Sequence, residues 1–287
     1  MKKLVFSLLA LTLALAASAQ PSQVVTESIA SKKLGCEQKY NVYLPAGYKA
    51  SEHYPVIYLL HGLYGDYTNW VNTGHAKSVA DELIASGELV PTVIIMPNAG
   101  DNDVHGYQNG YFNVENWPYE DFFFQELLPA AEKKFSCGGS KGQRAIMGLS
   151  MGGGGSIVYA QRHPDMFSSA YGMSAWLDNK HREVRGTDKP GSKLVITDLS
   201  VREHSALDFV DNADEETIGQ LKTVAWFLDC GDDDALMRLS VELHLKMKAA
   251  GIHSELRVRN GGHTWEYWRS ALRISFPFAS RNFSRHQ

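Results

Sequence analysis

The chain has 287 residues, 44% hydrophobic and 21% charged, which is an ordinary globular composition and excludes a disordered chain. Three cysteines are too few for a disulfide scaffold, and 25 glycines and 10 prolines, scattered, exclude a collagen-like repeat. The net charge of −4 offers no basic footprint, so no nucleic-acid partner is expected.

The chain opens with Lys2 and Lys3, an apolar run from Leu4 to Ala16, and the small residues Ala17-Ser18-Ala19. This three-part pattern predicts a secretory signal over 1–19, with residues 20–287 as one domain. The run falls short of the roughly 20 residues of a membrane span. No cysteine follows it to carry a lipid, and no later run is long enough to span, so no membrane partner is expected after cleavage. Cleavage removes two lysines and no acid, leaving a net charge of −6. The expected location is periplasmic or secreted, an oxidising setting. There at most one pair can form among Cys36, Cys137 and Cys230. Cys230 ends an apolar run and reads as a buried free thiol.

Strand and helix patterns then alternate. Tyr40 to Leu44 alternates as a strand does. Pro55 to Leu60, Thr92 to Met96, Arg144 to Met147, Ser168 to Met173, Val224 to Leu228 and Leu256 to Val258 are short apolar runs. Unbroken apolar runs suit strands covered on both faces. Helical patterns cover Ala76 to Ile84, Tyr119 to Phe135, Ser156 to Arg162, Ala235 to Ala249 and Glu266 to Ile274, the last ending before Pro277. Gly251 sits where a helix C-terminal cap belongs. Asn179 to Gln220 is polar and reads as an irregular insertion over the sheet edge. This order predicts the α/β class: a mostly parallel, doubly wound sheet flanked by helices.

Gly148-Leu149-Ser150-Met151-Gly152 matches G-x-S-x-G between a predicted strand and a predicted helix. A sharp turn there strains the serine backbone and stands its hydroxyl at the carboxyl edge of the sheet, where ligands bind. A serine nucleophile needs a base. His263, in Gly261-Gly262-His263-Thr264-Trp265, follows the last predicted strand and reaches the same edge. His61 ends an early strand and suits another task, while His105, His181 and His204 fall in predicted loops. If His263 is the base, its protonation in mild acid should stop turnover. The orienting acid comes from Asp232-Asp233-Asp234; Asp234 is favoured, Asp233 is the alternative, and Asp232 reads as a turn residue. Two backbone donors are expected for an oxyanion, from Met151 and from Leu63 in His61-Gly62-Leu63-Tyr64-Gly65.

Other patterns carry less. Gly152 to Gly155 lacks the Gly-Lys-Ser/Thr ending of a phosphate loop and reads as close helix packing. No HExxH, spaced ligand cluster or EF-hand pattern appears, so neither metal nor other cofactor is expected. Lys180, Arg182 and Arg185 read as a solvated loop face. Tyr64, Trp70, Tyr107, Tyr111, Trp117, Trp176 and Trp265 lie near the predicted site loops. Aromatic faces suit sugar rings and phenolic acyl groups, although most such residues serve packing. Trp265, Tyr64 and Trp176 are the substrate-binding candidates.

Leu60-His61-Gly62-Leu63-Tyr64-Gly65 with Trp70, then Gly148 to Gly153, Gly231-Asp232-Asp233-Asp234 and Gly262-His263-Thr264-Trp265, together resemble the esterase-D-type α/β-hydrolases. That group includes S-formylglutathione hydrolases, feruloyl and acetylxylan esterases and mycolyltransferases. The resemblance implies the α/β-hydrolase fold, a Ser150–Asp234–His263 triad and Leu63 and Met151 as oxyanion donors. The signal segment favours the exported feruloyl and acetyl esterases, acting on acylated cell-wall polysaccharide. An acyltransferase of the same fold uses the same triad and stands as the alternative, as does a short-acyl or S-formylglutathione-type esterase.

Overall fold

The apolar runs form the interior of one sheet in the computed structural model, which describes residues 20–100, 110–180, 189 and 191–284. The segment 1–19 and His105, Tyr107, His181, Arg182 and Arg185 lie outside the described residues. In chain order the elements are β1 (Gln23–Ala30), β2 (Glu37–Leu44), β3 (Val56–Leu60), α1 (Asn69–Asn72), α2 (Ala76–Ser86), β4 (Val93–Pro97), β5 (Asn113–Val114), β6 (Trp117–Pro118), α3 (Tyr119–Phe122), α4 (Leu128–Phe135), β7 (Arg144–Leu149) and α5 (Met151–Arg162). They continue with β8 (Ser169–Met173), α6 (Lys193–Glu203), α7 (Ala206–Asp211), α8 (Glu215–Leu221), β9 (Ala225–Gly231), α9 (Met237–Ala249), β10 (Ser254–Arg259) and α10 (Trp265–Asn282).

The main sheet has the order β1-β2-β4-β3-β7-β8-β9-β10, and β5 and β6 make a separate small hairpin. β3, β4 and β7 to β10 are parallel, whereas β2 pairs antiparallel with both β1 and β4. The expected doubly wound α/β arrangement is therefore present. Its two faces bury separate cores. Along β3, Val56, Tyr58 and Leu60 join the core under α5 and α9, while Ile57 and Leu59 join the core under α2 and α10. Alternate side chains point to opposite faces, so a strand covered on both sides must be apolar throughout.

Four regions differ from the sequence expectations. β1 was not anticipated; it is an edge strand, half-exposed and polar at alternate positions, so it lacks a continuous apolar signal. The helical run over 119–135 is present but passes through a π-helical turn at Phe123–Leu127. α10 does not stop before Pro277 and runs on to Asn282. Phe276, Phe278 and Ala279 are buried beyond the usual breaking point, and Phe278 packs edge-on against Phe227 at 5.3 Å. That burial offsets the hydrogen bond a proline cannot make. Residues 179–220 are not irregular where described: they hold α6, α7 and α8, each begun by a serine or aspartate side chain accepting an N–H three residues on. α7 packs on α5 and α9 and so covers a sheet face.

The parallel strands share one direction, so β3, β7, β8, β9 and β10 all end at the same edge. Their ends lead directly into His61, Ser150, Ser174, Asp232 and the loop that carries His263.

Candidate active site

β7 ends at Leu149 and α5 begins at Met151, which leaves Ser150 alone in the turn at φ +52° and ψ −117°. Such a backbone costs a non-glycine residue about 1–3 kcal/mol and persists only when the surroundings enforce it. Ser150 N–H donates to the Met173 carbonyl at 2.8 Å, and Trp176 N–H donates to the Ser150 carbonyl at 2.9 Å. The glycines that follow permit this closeness. A Cβ on Gly152 would lie 2.3 Å from the His61 carbonyl oxygen, and one on Gly154 would lie 2.1 Å from that of Trp176. Gly152 to Gly154 thus make a backbone-on-backbone contact, and Gly155 lies against the Tyr111 ring.

His263 Nε2 lies 2.9 Å from Ser150 Oγ, and His263 Nδ1 lies 2.8 Å from Asp234 Oδ2. An ionised carboxylate only accepts, so Nδ1 carries the proton and Nε2 is free to accept from the serine hydroxyl. The Asp234 side chain is wholly shielded from solvent. Burial opposes its ionisation, but hydrogen bonds from His263, the Leu236 N–H and Ser174 together hold its carboxyl below the usual carboxylate range. Of the three aspartates only Asp234 is buried. Asp232 accepts the Gly261 N–H at 3.0 Å, and the Asp233 backbone N–H donates to the Gly261 carbonyl at 3.0 Å, so both brace the histidine loop.

Leu63 lies in the turn after β3 and Met151 at the first turn of α5, where helical N–H groups have no internal acceptor. The turn is held by His61, which is buried. Ala99 N–H donates to His61 Nε2 at 3.0 Å, so the ring proton sits on Nδ1 and is donated to the Gly62 carbonyl, 2.8 Å away. Tyr111 hydroxyl donates to the His61 carbonyl at 2.9 Å.

Desolvation lowers the His61 pKa from 6.5 to about 4. Between those values the unfolded chain takes up a proton that the folded chain refuses, so stability is full above the upper value and falls as pH drops toward the lower one. The loss should reach roughly 3 kcal/mol at the lower end. Thermal melts of wild type and His61→Gln across this range check it. The variant should show a shallower slope, and parallel slopes would remove His61 as the cause.

A cleft of about 550 Å3 opens over these groups, lined by Leu63, Tyr64, Ser150, His263, Trp265 and Trp268 among others. Trp265 packs edge-to-face on Trp70 at 5.4 Å and on Trp268 at 5.3 Å. Tyr64 stands at the lip, 64% exposed and at φ +62°. Trp176 is half-buried against the core on the α5 face and does not line this cleft. Trp70, Tyr111 and Trp117 are buried, with their polar atoms donating to the carbonyls of Leu60, His61 and Ala99. Ser174 and Trp268 also meet the site and were not anticipated. Ser174 reaches it through the strand order alone, and Trp268 lies five residues past His263 on a helix face that reads as core. All three cysteines are free thiols, Cys137 and Cys230 buried. Among the described residues no group of three His, Cys, Asp or Glu side chains is placed to hold a metal ion, and no helix is long and apolar enough to cross a membrane.

A doubly wound sheet with a serine in a strained strand-to-helix turn, and an acid and a histidine at later strand ends, defines an α/β-hydrolase. The chain belongs to the Esterase family, whose model matches residues 31–278. It is 29% identical over 248 residues to an endo-1,4-beta-xylanase/feruloyl esterase of Xylanibacter ruminicola, covering 84% of this chain and 29% of that protein. The chain thus spans under a third of that curated relative's length. A solved ferulic acid esterase is 45% identical, with a TM-score of 0.87 over 92% of this chain and 100% of that one. An S-formylglutathione hydrolase from Staphylococcus aureus, 20% identical, superposes with a TM-score of 0.73 over 90% of this chain and 99% of that one. At that identity it speaks for the fold alone.

Proposed function

We propose that this protein is an exported serine ester hydrolase that releases feruloyl groups from plant cell-wall polysaccharide. The observation that carries the chemistry is the unbroken hydrogen-bonded path Ser150 Oγ–His263–Asp234, which runs from the cleft into the interior. Ser150 attacks the ester carbonyl as its proton passes to His263 Nε2. Asp234 keeps the imidazole in the required tautomer and stabilises the imidazolium. The Leu63 and Met151 N–H groups receive the oxyanion, an interaction worth roughly 3–4 kcal/mol per donor. As the ester C–O bond breaks, His263 gives that proton to the departing sugar oxygen. Water repeats the cycle on the acyl-enzyme and frees the acid.

The aromatic choice rests on the cleft and on the relatives. Trp265 and the exposed ring of Tyr64 offer flat apolar faces to a phenolic acyl group or a sugar ring. The 45% identical ferulic acid esterase supports the acyl group. Residues 1–19 supply the export signal.

Hydrolysis of methyl ferulate and of 4-nitrophenyl acetate by the mature chain, with Ser150→Ala as the blank, tests this reading. Both esters should be cleaved, with methyl ferulate used efficiently. Cleavage of the acetate alone would leave the serine hydrolase standing and replace feruloyl by a short acyl group.

A further inference from the structure

The cleft over Ser150 lies to one side of it. Its walls are the turn after β3, with Leu63, Tyr64 and Asn69, and the loop into α10, with His263, Trp265 and Trp268. Trp268 belongs to the core under α2 and α10, and Trp265 packs against that core. Met151 belongs to the opposite core and does not line the cleft. On that opposite side a Cβ on Gly110 would lie 4.0 Å from Met151 Sδ and 3.6 Å from Thr197 Cγ2 of α6. Either a phenolic ring or a sugar suits the aromatic walls of the cleft, and the path of the proton decides between them.

His263 Nε2, 2.9 Å from Ser150 Oγ, takes the serine proton and must hand it to the departing ester oxygen. That oxygen therefore leaves on the imidazole's side, into the cleft that His263 lines. The developing oxyanion turns to the N–H groups of Leu63 and Met151. The tetrahedral carbon has one bond left, to the acyl chain, and it points away from His263, over Met151. We propose that the cleft is the leaving-group subsite and that it takes a neutral sugar, held by Trp265, Tyr64 and Asn69. The proposal rests on the reading of Ser150, Asp234 and His263 as a catalytic triad.

The composition of the cleft sets the class of leaving group. Among the described residues that line it there is no Lys, Arg, Asp or Glu. A thiol carrying carboxylates would find no cationic partner there, whereas a sugar brings only hydroxyls and C–H faces. Trp265 is held edge-to-face by Trp70 at 5.4 Å and by Trp268 at 5.3 Å, so its ring is fixed before a ligand arrives. Tyr64 adds an exposed ring at the lip. Asn69 Oδ1 accepts the Asp66 N–H at 3.1 Å, which leaves the two amide N–H groups of Asn69 as donors to hydroxyls.

The test measures kcat/KM on a feruloylated neutral oligosaccharide, on methyl ferulate and on methyl acetate. The first two esters share an acyl group, and the last two share an alcohol. In Trp265→Ala and in Tyr64→Ala the oligosaccharide to methyl ferulate ratio should fall about 3- to 10-fold, as expected for losing one aromatic contact. Asn69→Asp keeps an acceptor for the Asp66 N–H and removes both amide donors, so it should lower the same ratio about 2- to 10-fold. The methyl ferulate to methyl acetate ratio should hold in all three. An unchanged first ratio in all three variants would overturn the proposal. So would a fall in the second ratio at least as large as in the first, since the acyl group would then occupy the cleft. If Trp265→Ala does not fold, Tyr64→Ala, at the exposed lip, decides. If wild type cleaves acetyl esters alone, the feruloyl reading has failed by itself, and the ratio of an acetylated oligosaccharide to methyl acetate decides. Full activity in Ser150→Ala would overturn the triad reading and this proposal together.

Discussion

Replacing Ser150 by alanine should lower kcat on methyl ferulate about a million-fold, and adding His263→Ala should cost almost nothing more. The reason lies in the 2.9 Å contact between Ser150 Oγ and His263 Nε2. The hydroxyl is a poor nucleophile until the imidazole takes its proton, and the imidazole has no proton to take once the hydroxyl is gone. The two residues act as one unit, so their losses do not add. Burst-free kinetics of the single and double variants, in protein prepared free of wild type, check this. Losses that multiply would mean that the two groups serve separate steps.

Asp234→Asn should cost about 10,000-fold in kcat with the fold intact. The asparagine oxygen would keep the bond from Leu236 N–H, seen at 2.9 Å, and its amide nitrogen would then face His263 Nδ1. Two donors cannot face each other, so the imidazole would move its proton to Nε2 and present it to Ser150. The base would then have no lone pair where the serine proton must go. Asp232→Asn and Asp233→Asn should stay within about tenfold, since both are exposed and touch the loop of Gly261 rather than the imidazole. Circular dichroism alongside kcat separates loss of chemistry from loss of structure. A large loss in Asp233→Asn with an active Asp234→Asn would reverse the assignment.

Much of this architecture can be read from local pattern. The runs at 55–60, 92–96 and 144–147 announce strands because both faces of a central strand must be apolar. Ser150 and His263 are legible for a different reason: each sits between a strand pattern and a turn rich in glycine, and the chemistry restricts what such positions can hold. The less visible features depend on tertiary neighbours. β1 is half-wet and carries little apolar signal. Pro277 breaks helices on propensity alone, and the burial of Phe276, Phe278 and Ala279 overrides it. Choosing among three consecutive aspartates needs the turn geometry that buries the third. Ser174 has no local mark at all, since its place beside Asp234 follows from β8 and β9 being neighbours in the sheet. Trp176 is close to the nucleophile in the chain, but it packs half-buried against the core on the α5 face and is not among the residues lining the cleft.

The three unpaired thiols bear on how the protein can be made. Cys137 and Cys230 are buried, and burial pushes both thiols well above their ordinary range, Cys230 to about 12. Thiolate is the species that attacks disulfides, and these sulfurs hold almost none of it near neutral pH. No disulfide joins these cysteines in the folded state. Its integrity rests on noncovalent burial around the two faces of the sheet, so a strong reductant leaves nothing to cut.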